Sequence, residues 1–254
     1  GMDDGARDLE ACLAMARRYA AHGYRQVVTT PHALTDSLQD DLARSVKLQV
    51  ANVNAVLRDH SLDLTLQPGM EIAMTPEVPD LLDQGRLLTL AGSRFVLLEP
   101  PFERLPIHWE HMFFDITSRG YRILLAHPER CAQLGRDPSI FDRLIETGAY
   151  LQANWGSFLG LFGKESKRAV HYLARRGYLH CLATDSHDAQ QRSPDVVRPA
   201  ARKVAALVGR TNLSLLAIEN PARVITDDPL KEMTVDETAR PAAAGRKRWM
   251  FWKR

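Results

Sequence analysis

The sequence predicts an α/β fold closed into a parallel barrel, and three observations predict it. Strand-like runs alternate with helix-like runs along the chain, which implies a parallel sheet. The strand-like runs are apolar without clean alternation, as expected when both faces of a sheet are covered. Five apolar runs also end on a His, Asp or Glu: VVTTPH on His32, PGME on Glu71, FVLLE on Glu99, ILLAH on His127, and LATDSH with Asp185 and His187. Barrel active sites are assembled from the C-terminal ends of strands. These side chains are therefore expected to converge on one site.

Taken in order, Leu9, Cys12, Leu13, Ala16 and Ala20 recur at helical spacing, with Asp8 as N-cap and His22-Gly23 as the stop. VVTT reads as a strand ended by Pro31. A helix is expected from Gln39 to about His60, then the strand LDLTLQP. Thr75-Pro76 carries a cap-and-first-turn signature for a short helix reaching Gln84. RFVLL is a strand, His108 to Arg119 a helix, YRILLAH a strand and Ser139 to Thr147 a helix. The segment YLQANWGS precedes a helix from Lys164 to Arg176, the strand HCLAT, a helix from Ser193 to Gly209 and another around Leu213 to Val224. The barrel is expected to occupy residues 1–227. From 228 to 254 the composition shifts to Ala, Pro and charge and ends in RKRWMFWKR.

With 254 residues, 45% of them hydrophobic and 25% charged, the chain has enough apolar material for a substantial core. A net charge of +2 makes no case for a nucleic-acid partner. No stretch approaches the roughly 20 apolar residues of a membrane span, and the polar, acidic residues 1–8 do not read as a signal peptide. Three cysteines are too few and too odd in number for a disulfide framework, and fit a reducing cytoplasm. Cys131 and Cys181 read as packing residues.

Carboxylates and imidazoles without thiolates describe a site for Mn²⁺, Fe or Zn²⁺, with manganese placed first. More candidate ligands than one tetrahedral ion can use suggest two or three divalent ions. Such sites commonly hydrolyse phosphate esters.

The chain resembles the capsule- and exopolysaccharide-locus tyrosine phosphatases of the polymerase-and-histidinol-phosphatase (PHP) superfamily. The resemblance rests on DDGARD, TPH, GMEI, LLEPP, AHPER, LQANWGS, DSH and ENPARVI, in the family's order and approximate spacing from Asp3 to about Thr226. It implies a distorted seven-stranded, TIM-like PHP barrel and hydrolysis of phosphotyrosine. The implied partner is the tail of a bacterial tyrosine kinase that controls polysaccharide export. It also implies three metal sites. Glu71 and Asp185 would join two histidines of an N-terminal H-x-H at the first, Glu71 would bridge to a second completed by Glu99 and His127, and Asp4, His32 and His187 would form the third. Arg130 and Arg192 match the family's phosphate-binding arginines, and a guanidinium fork suits phosphate geometry.

The chain opens at Gly1-Met2-Asp3-Asp4, so the strand that carries the H-x-H is expected to be missing and the first metal site deficient. Two readings of that start stay open, a gene beginning upstream of Met2 or a naturally short and impaired protein. The alternative functions are another PHP phosphomonoesterase, acting on histidinol phosphate or a nucleotide, and a metal-impaired interaction protein.

Plainer readings compete at each residue. Taken singly, His32 or His127 is an ordinary loop histidine and Asp4 a helix-entry residue; as an ordered set they read as ligands. Glu71 and Glu99 lie in apolar contexts where an unpaired carboxylate is costly. Ser186 has no elbow glycines and is a poor nucleophile candidate. Cys12 and Arg18 have the spacing of cysteine-based phosphatases but lie inside an expected helix, without a loop of inward amides. Asn154 and Ser157 either shape the pocket or merely satisfy a loop. The terminal RKRWMFWKR is either a solvated tail or an interfacial anchor to anionic lipid at the inner membrane face.

Overall fold

A computed structural model describes residues 2–35, 38 and 41–235. Helix α1 (Leu9–Ala21) begins where the periodicity predicts it. The Asp8 carboxylate accepts from the Ala11 N–H at 2.8 Å, satisfying one of the amides a helix start leaves without a partner. Leu13, Ala16 and Tyr19 are its buried stripe.

Two strands are interrupted. β1 (Gln26–Thr29) and β2 (His32–Ala33) flank Thr30-Pro31, and β3 (Thr65–Pro68) and β4 (Glu71–Ala73) flank Gly69-Met70. β1 pairs with β3 and β2 with β4, both in parallel, so the four segments form one broken ladder. Pro31 has no N–H to donate, but its carbonyl accepts from Glu71 N at 3.1 Å and carries the ladder across the gap. Gly69 is required by close approach, since a Cβ there would lie 2.9 Å from Val28 Cγ1. Helix α2 (Leu42–Asp59) bridges the two broken strands.

The rest of the wall is unbroken, with one register shift at Leu151/Gln152 between its last two strands. β5 (Phe95–Glu99), β6 (Arg122–Ala126), β7 (Tyr150–Asn154) and β8 (Leu179–Ala183) continue from β4 in sequence order, all parallel. Alternate residues serve two cores. Val96, Leu98, Ile123 and Leu125 pack outward against the helices, whereas Leu97, Leu124 and Cys181 join a smaller inner cluster. This is why the runs read as continuously apolar. Among the described residues no strand lies between β8 and β1. A cavity of about 700 Å³ separates those edges, with Val28, Leu97, Leu124 and Cys181 among its walls and α1 also lining it.

The helices α3 (Val78–Asp83), α4 (Trp109–Ser118), α5 (Ala132–Arg136), α6 (Ser139–Glu146), α7 (Trp155–Leu159), α8 (Gly163–Arg176), α9 (Val197–Ser214) and α10 (Asn220–Ile225) complete the fold. Thr75-Pro76 does not open α3. It forms a preceding turn, with Val78 N donating to Thr75 O at 3.2 Å, and Pro79 lies in the first helical turn. Gly209 interrupts α9 with non-helical backbone at φ +80°, where the sequence places the end of a helix.

The boundary expected at 227/228 falls inside packed structure. Asn220 Nδ2 donates to the carbonyls of His180 and Lys231, and its Oδ1 accepts from Lys231 N. Asn212 holds Thr234 in the same two-way manner, and Leu230 and Met233 are buried. Residues up to Val235 are thus packed against the barrel, Leu230 on the inner cluster and Met233 on the outer core. The expected membrane-contacting segment RKRWMFWKR lies outside the described residues.

Candidate metal centre

All seven expected ligands gather at the C-terminal mouth of the sheet. Register does part of this: His32 pairs across from Glu71, and Ala73 across from Glu99. His127 follows β6 at φ +29° and Asp185 follows β8 at φ +48°. Left-handed backbone at a non-glycine residue costs energy and clusters at functional sites. Here it lies at two candidate ligands.

Two triads have donor atoms within 4.8 Å of one another, Asp4–His32–His187 and His32–Glu71–Glu99. The first is the third site implied by the resemblance. The second differs from the implied Glu71–Glu99–His127 grouping because His32 stands between the two clusters. Its Nε2 is 3.6 Å from Asp4 Oδ1, while its Nδ1 is 3.3 Å from Glu71 Oε2 and 3.6 Å from Glu99 Oε2. His127 closes the far side, with Nε2 3.1 Å from Glu71 Oε1 and 3.7 Å from Glu99 Oε1. Asp3 supports His32 from behind by accepting from its backbone N–H at 3.1 Å.

The electrostatics favour a cation. Burial pushes the Glu99 carboxyl up and the Glu71 carboxylate pushes it further, against the opposing pull of His127 and His32. Burial acts to lower the His127 pKa, but its bond to Glu71 and the charges of Glu71, Asp185 and Glu129 outweigh it, and the net shift is upward. A like charge beside a carboxyl opposes its ionisation, and a divalent ion between the two removes that opposition. Oxygen and imidazole donors without thiolate fit a hard to borderline divalent ion.

Asp185 has a second role. Its Oδ2 accepts from Arg130 Nη1 at 3.0 Å, Arg192 Nη2 at 2.7 Å and Asn154 Nδ2 at 2.8 Å. Both expected phosphate arginines are thereby held beside the carboxylate cluster, and Asn154 belongs to the site rather than to a self-satisfied loop. Ser157 is one step removed. Its hydroxyl donates at 2.6 Å to Glu129, which also accepts from Asn154 N. Glu129 is buried and its carboxyl is pushed up by that burial.

Sequence reasoning missed Glu129, and it missed the aromatic clamp on Arg130. The guanidinium lies 4.7 Å from the Phe102 ring centroid and 4.4 Å from that of Phe162, a contact that fixes its plane. Phe102 follows the LLEPP motif directly and is half exposed, which was the available signal. The cysteine-phosphatase reading is unsupported: burial pushes the Cys12 thiol up, away from thiolate, and Arg18 is paired with Asp195.

The family model described as "Capsular polysaccharide synthesis, CpsB/CapC" matches residues 1–226. The chain is 33% identical over 192 residues to tyrosine-protein phosphatase YwqE of Bacillus subtilis, covering 76% of this chain and 75% of the relative. It is 26% identical over 234 residues to tyrosine-protein phosphatase CpsB of Streptococcus pneumoniae, covering 89% and 94%. A solved structure from work on YwqE and CpsB, described there as unique metal-dependent tyrosine phosphatases, superposes with a TM-score of 0.86 at 29% identity, covering 91% of this chain and 93% of that one. With the motifs, the parallel wall and these matches in agreement, the chain belongs to the CpsB/CapC family of capsular polysaccharide synthesis.

Proposed function

We propose that this protein is a metal-dependent protein-tyrosine phosphatase, with a phosphotyrosine-bearing tail of a bacterial tyrosine kinase in capsule or exopolysaccharide synthesis as its substrate. The observation that carries this reading is the pair of arginines held on Asp185 at the rim of a carboxylate and imidazole cluster. Asp4, His32, Glu71, Glu99, His127, Asp185 and His187 would hold two to three divalent ions, manganese first, which supply charge neutralisation for the phosphoryl group and a nucleophile from water near neutral pH. Arg130 and Arg192 exchange Asp185 for the non-bridging phosphate oxygens, a swap of one charge-assisted fork for another. Phe102 and Phe162 keep the Arg130 plane fixed during that exchange. The phenol leaving group has a pKa of about 10, far below an alkanol's, so the chain needs no strong general acid at the leaving oxygen. Such a substrate would place the reaction in the cytoplasm at the inner membrane face. Among the described residues no helix is long and apolar enough to cross a membrane.

The test is hydrolysis of para-nitrophenyl phosphate and a phosphotyrosine peptide, with and without chelator and with Mn²⁺ restored. Chelator-sensitive turnover of both, well above that of alkyl phosphates, is expected. Equal turnover of alkyl phosphates would move the reading to a general phosphomonoesterase.

A further inference from the structure

Helix α8 presents one cationic face. Ser166, Ala169, Val170, Leu173 and Ala174 point into the core, whereas Lys164, Lys167, Arg168, His171 and Arg175 recur at the three- and four-residue spacings of a single opposite stripe. The stripe lines a surface hollow of about 570 Å³. Among the described residues no carboxylate pairs with Lys164, Lys167, Arg168 or Arg175; the neighbouring Arg176 takes Asp142 at 3.0 Å. Lys203 of α9 adds to the same field. The His171 imidazole is held below its ordinary pKa by burial first, and then by Arg175, Lys167 and Lys203.

Helix stability does not account for this arrangement. Like charges three and four residues apart repel, and Lys164 and Lys167 sit in the N-terminal half, where the helix dipole disfavours cations. The stripe also starts at the catalytic mouth. Phe162, the N-cap of α8, packs on the Arg130 guanidinium at 4.4 Å, and Lys164 follows two residues later. From Lys164 to Arg175 the stripe runs about 16 Å, the reach of about five extended residues.

We propose that this face of α8 is a docking surface for an acidic or multiply phosphorylated segment of the protein substrate, flanking the phosphotyrosine engaged at Arg130. The proposal rests on the phosphatase reading for its substrate but not for its chemistry, which requires only a polyanionic polypeptide. A lipid surface fits less well, because an interfacial helix needs an apolar face toward the bilayer and the apolar face of α8 is buried in the core.

The experiment compares the parent chain with a Lys167→Ala/Arg168→Ala/Arg175→Ala variant, whose substitutions at exposed or half-exposed positions lie outside the buried core. Hydrolysis of para-nitrophenyl phosphate is expected to be unchanged. The KM for a phosphotyrosine peptide with acidic flanks should rise about tenfold, and its dependence on salt should flatten. A neutral-flanked peptide should not discriminate between the two proteins. Direct binding of the acidic peptide, read by fluorescence anisotropy in chelator, separates the two hypotheses. If neither protein has phosphatase activity but the variant still loses peptide binding, the docking surface stands and the phosphatase reading fails. Equal KM and equal binding overturn the docking surface. So does loss confined to co-sedimentation with phosphatidylserine vesicles, which would assign the stripe to a membrane instead.

Discussion

The barrel has a rigid side and an open side, and the candidate ligands divide between them. On the rigid side β5 to β8 are continuous strands with ladders between neighbours, and the His127 side chain is only 2% exposed. On the open side β1/β2 and β3/β4 are interrupted and a cavity takes the place of a neighbour for β1. There Asp4 is 60% exposed and His32 30%. Backbone pairing fixes the first group before any ion arrives. The second is held by a few side-chain bonds such as Asp3 to His32 N. Ligands on the rigid side should therefore set whether metal binds at all, and those on the open side how tightly.

The largest expected effect comes at the seam of the two sides, where Glu71 opens the interrupted β4 but is buried against His127. Glu71→Gln keeps the shape but removes the charge shared by His32 and His127, and should lower phosphatase kcat/KM by about a thousandfold or more, with no recovery at high Mn²⁺. Recovery at high Mn²⁺ would mean that Glu71 is no more essential than the open-side ligands.

A second prediction tests the rigidity of the wall itself. His180 lies buried in β8, where its Nδ1 accepts from Leu151 N at 3.1 Å, and burial pulls its pKa down to about 4. The unfolded chain, with an ordinary histidine pKa near 6.5, takes the proton first as the pH falls. Stability from the neutral ring is therefore complete above about pH 6.5 and is lost toward pH 4, by about 3 kcal/mol over the whole window. Guanidinium midpoints measured from pH 7 to 4.5 should fall more steeply for the parent than for His180→Phe. Parallel slopes would show that His180 does not couple the wall to pH.

Arg130→Ala should cost about a hundredfold in kcat/KM. Arg130→Lys should recover little of it, because an ammonium cannot stack flat between Phe102 and Phe162. Full rescue by lysine would reduce the aromatic clamp to incidental packing. The smallest effect belongs to the open side. Asp4→Asn should weaken activity about tenfold at limiting Mn²⁺, and saturating metal should restore it. An irreversible loss as large as that of Glu71→Gln would erase the distinction between the two sides.

The same division runs through what the sequence made legible. The candidate ligands at the five strand ends were readable because each lies at the end of an apolar run that cannot bury a bare carboxylate or imidazole at no cost. β7 was not read as a strand because Gln152 and Asn154 break the apolar run. Gln152 lines the cavity and Asn154 bonds Asp185, while Leu151 and Ala153 pack outward. The segment from 228 to 235 was taken for tail because its composition is polar and proline-bearing. Its anchoring depends on Asn212 and Asn220, whose amides reach it from 22 and 11 residues away, and no local pattern announces such bonds.

By itself the sequence determined the fold class and singled out the strand-end candidate ligands, because periodicity and strand-end chemistry are local and survive without coordinates; Asp4 and the arginine pair came from the family resemblance of its motifs. Only the tertiary structure decided that His32 is shared between two clusters, that Asp185 gathers both arginines and Asn154, and that Phe102 and Phe162 clamp Arg130. Those are contacts between residues tens of positions apart, and their geometry is set by the register of the parallel wall and by where α8 packs against it.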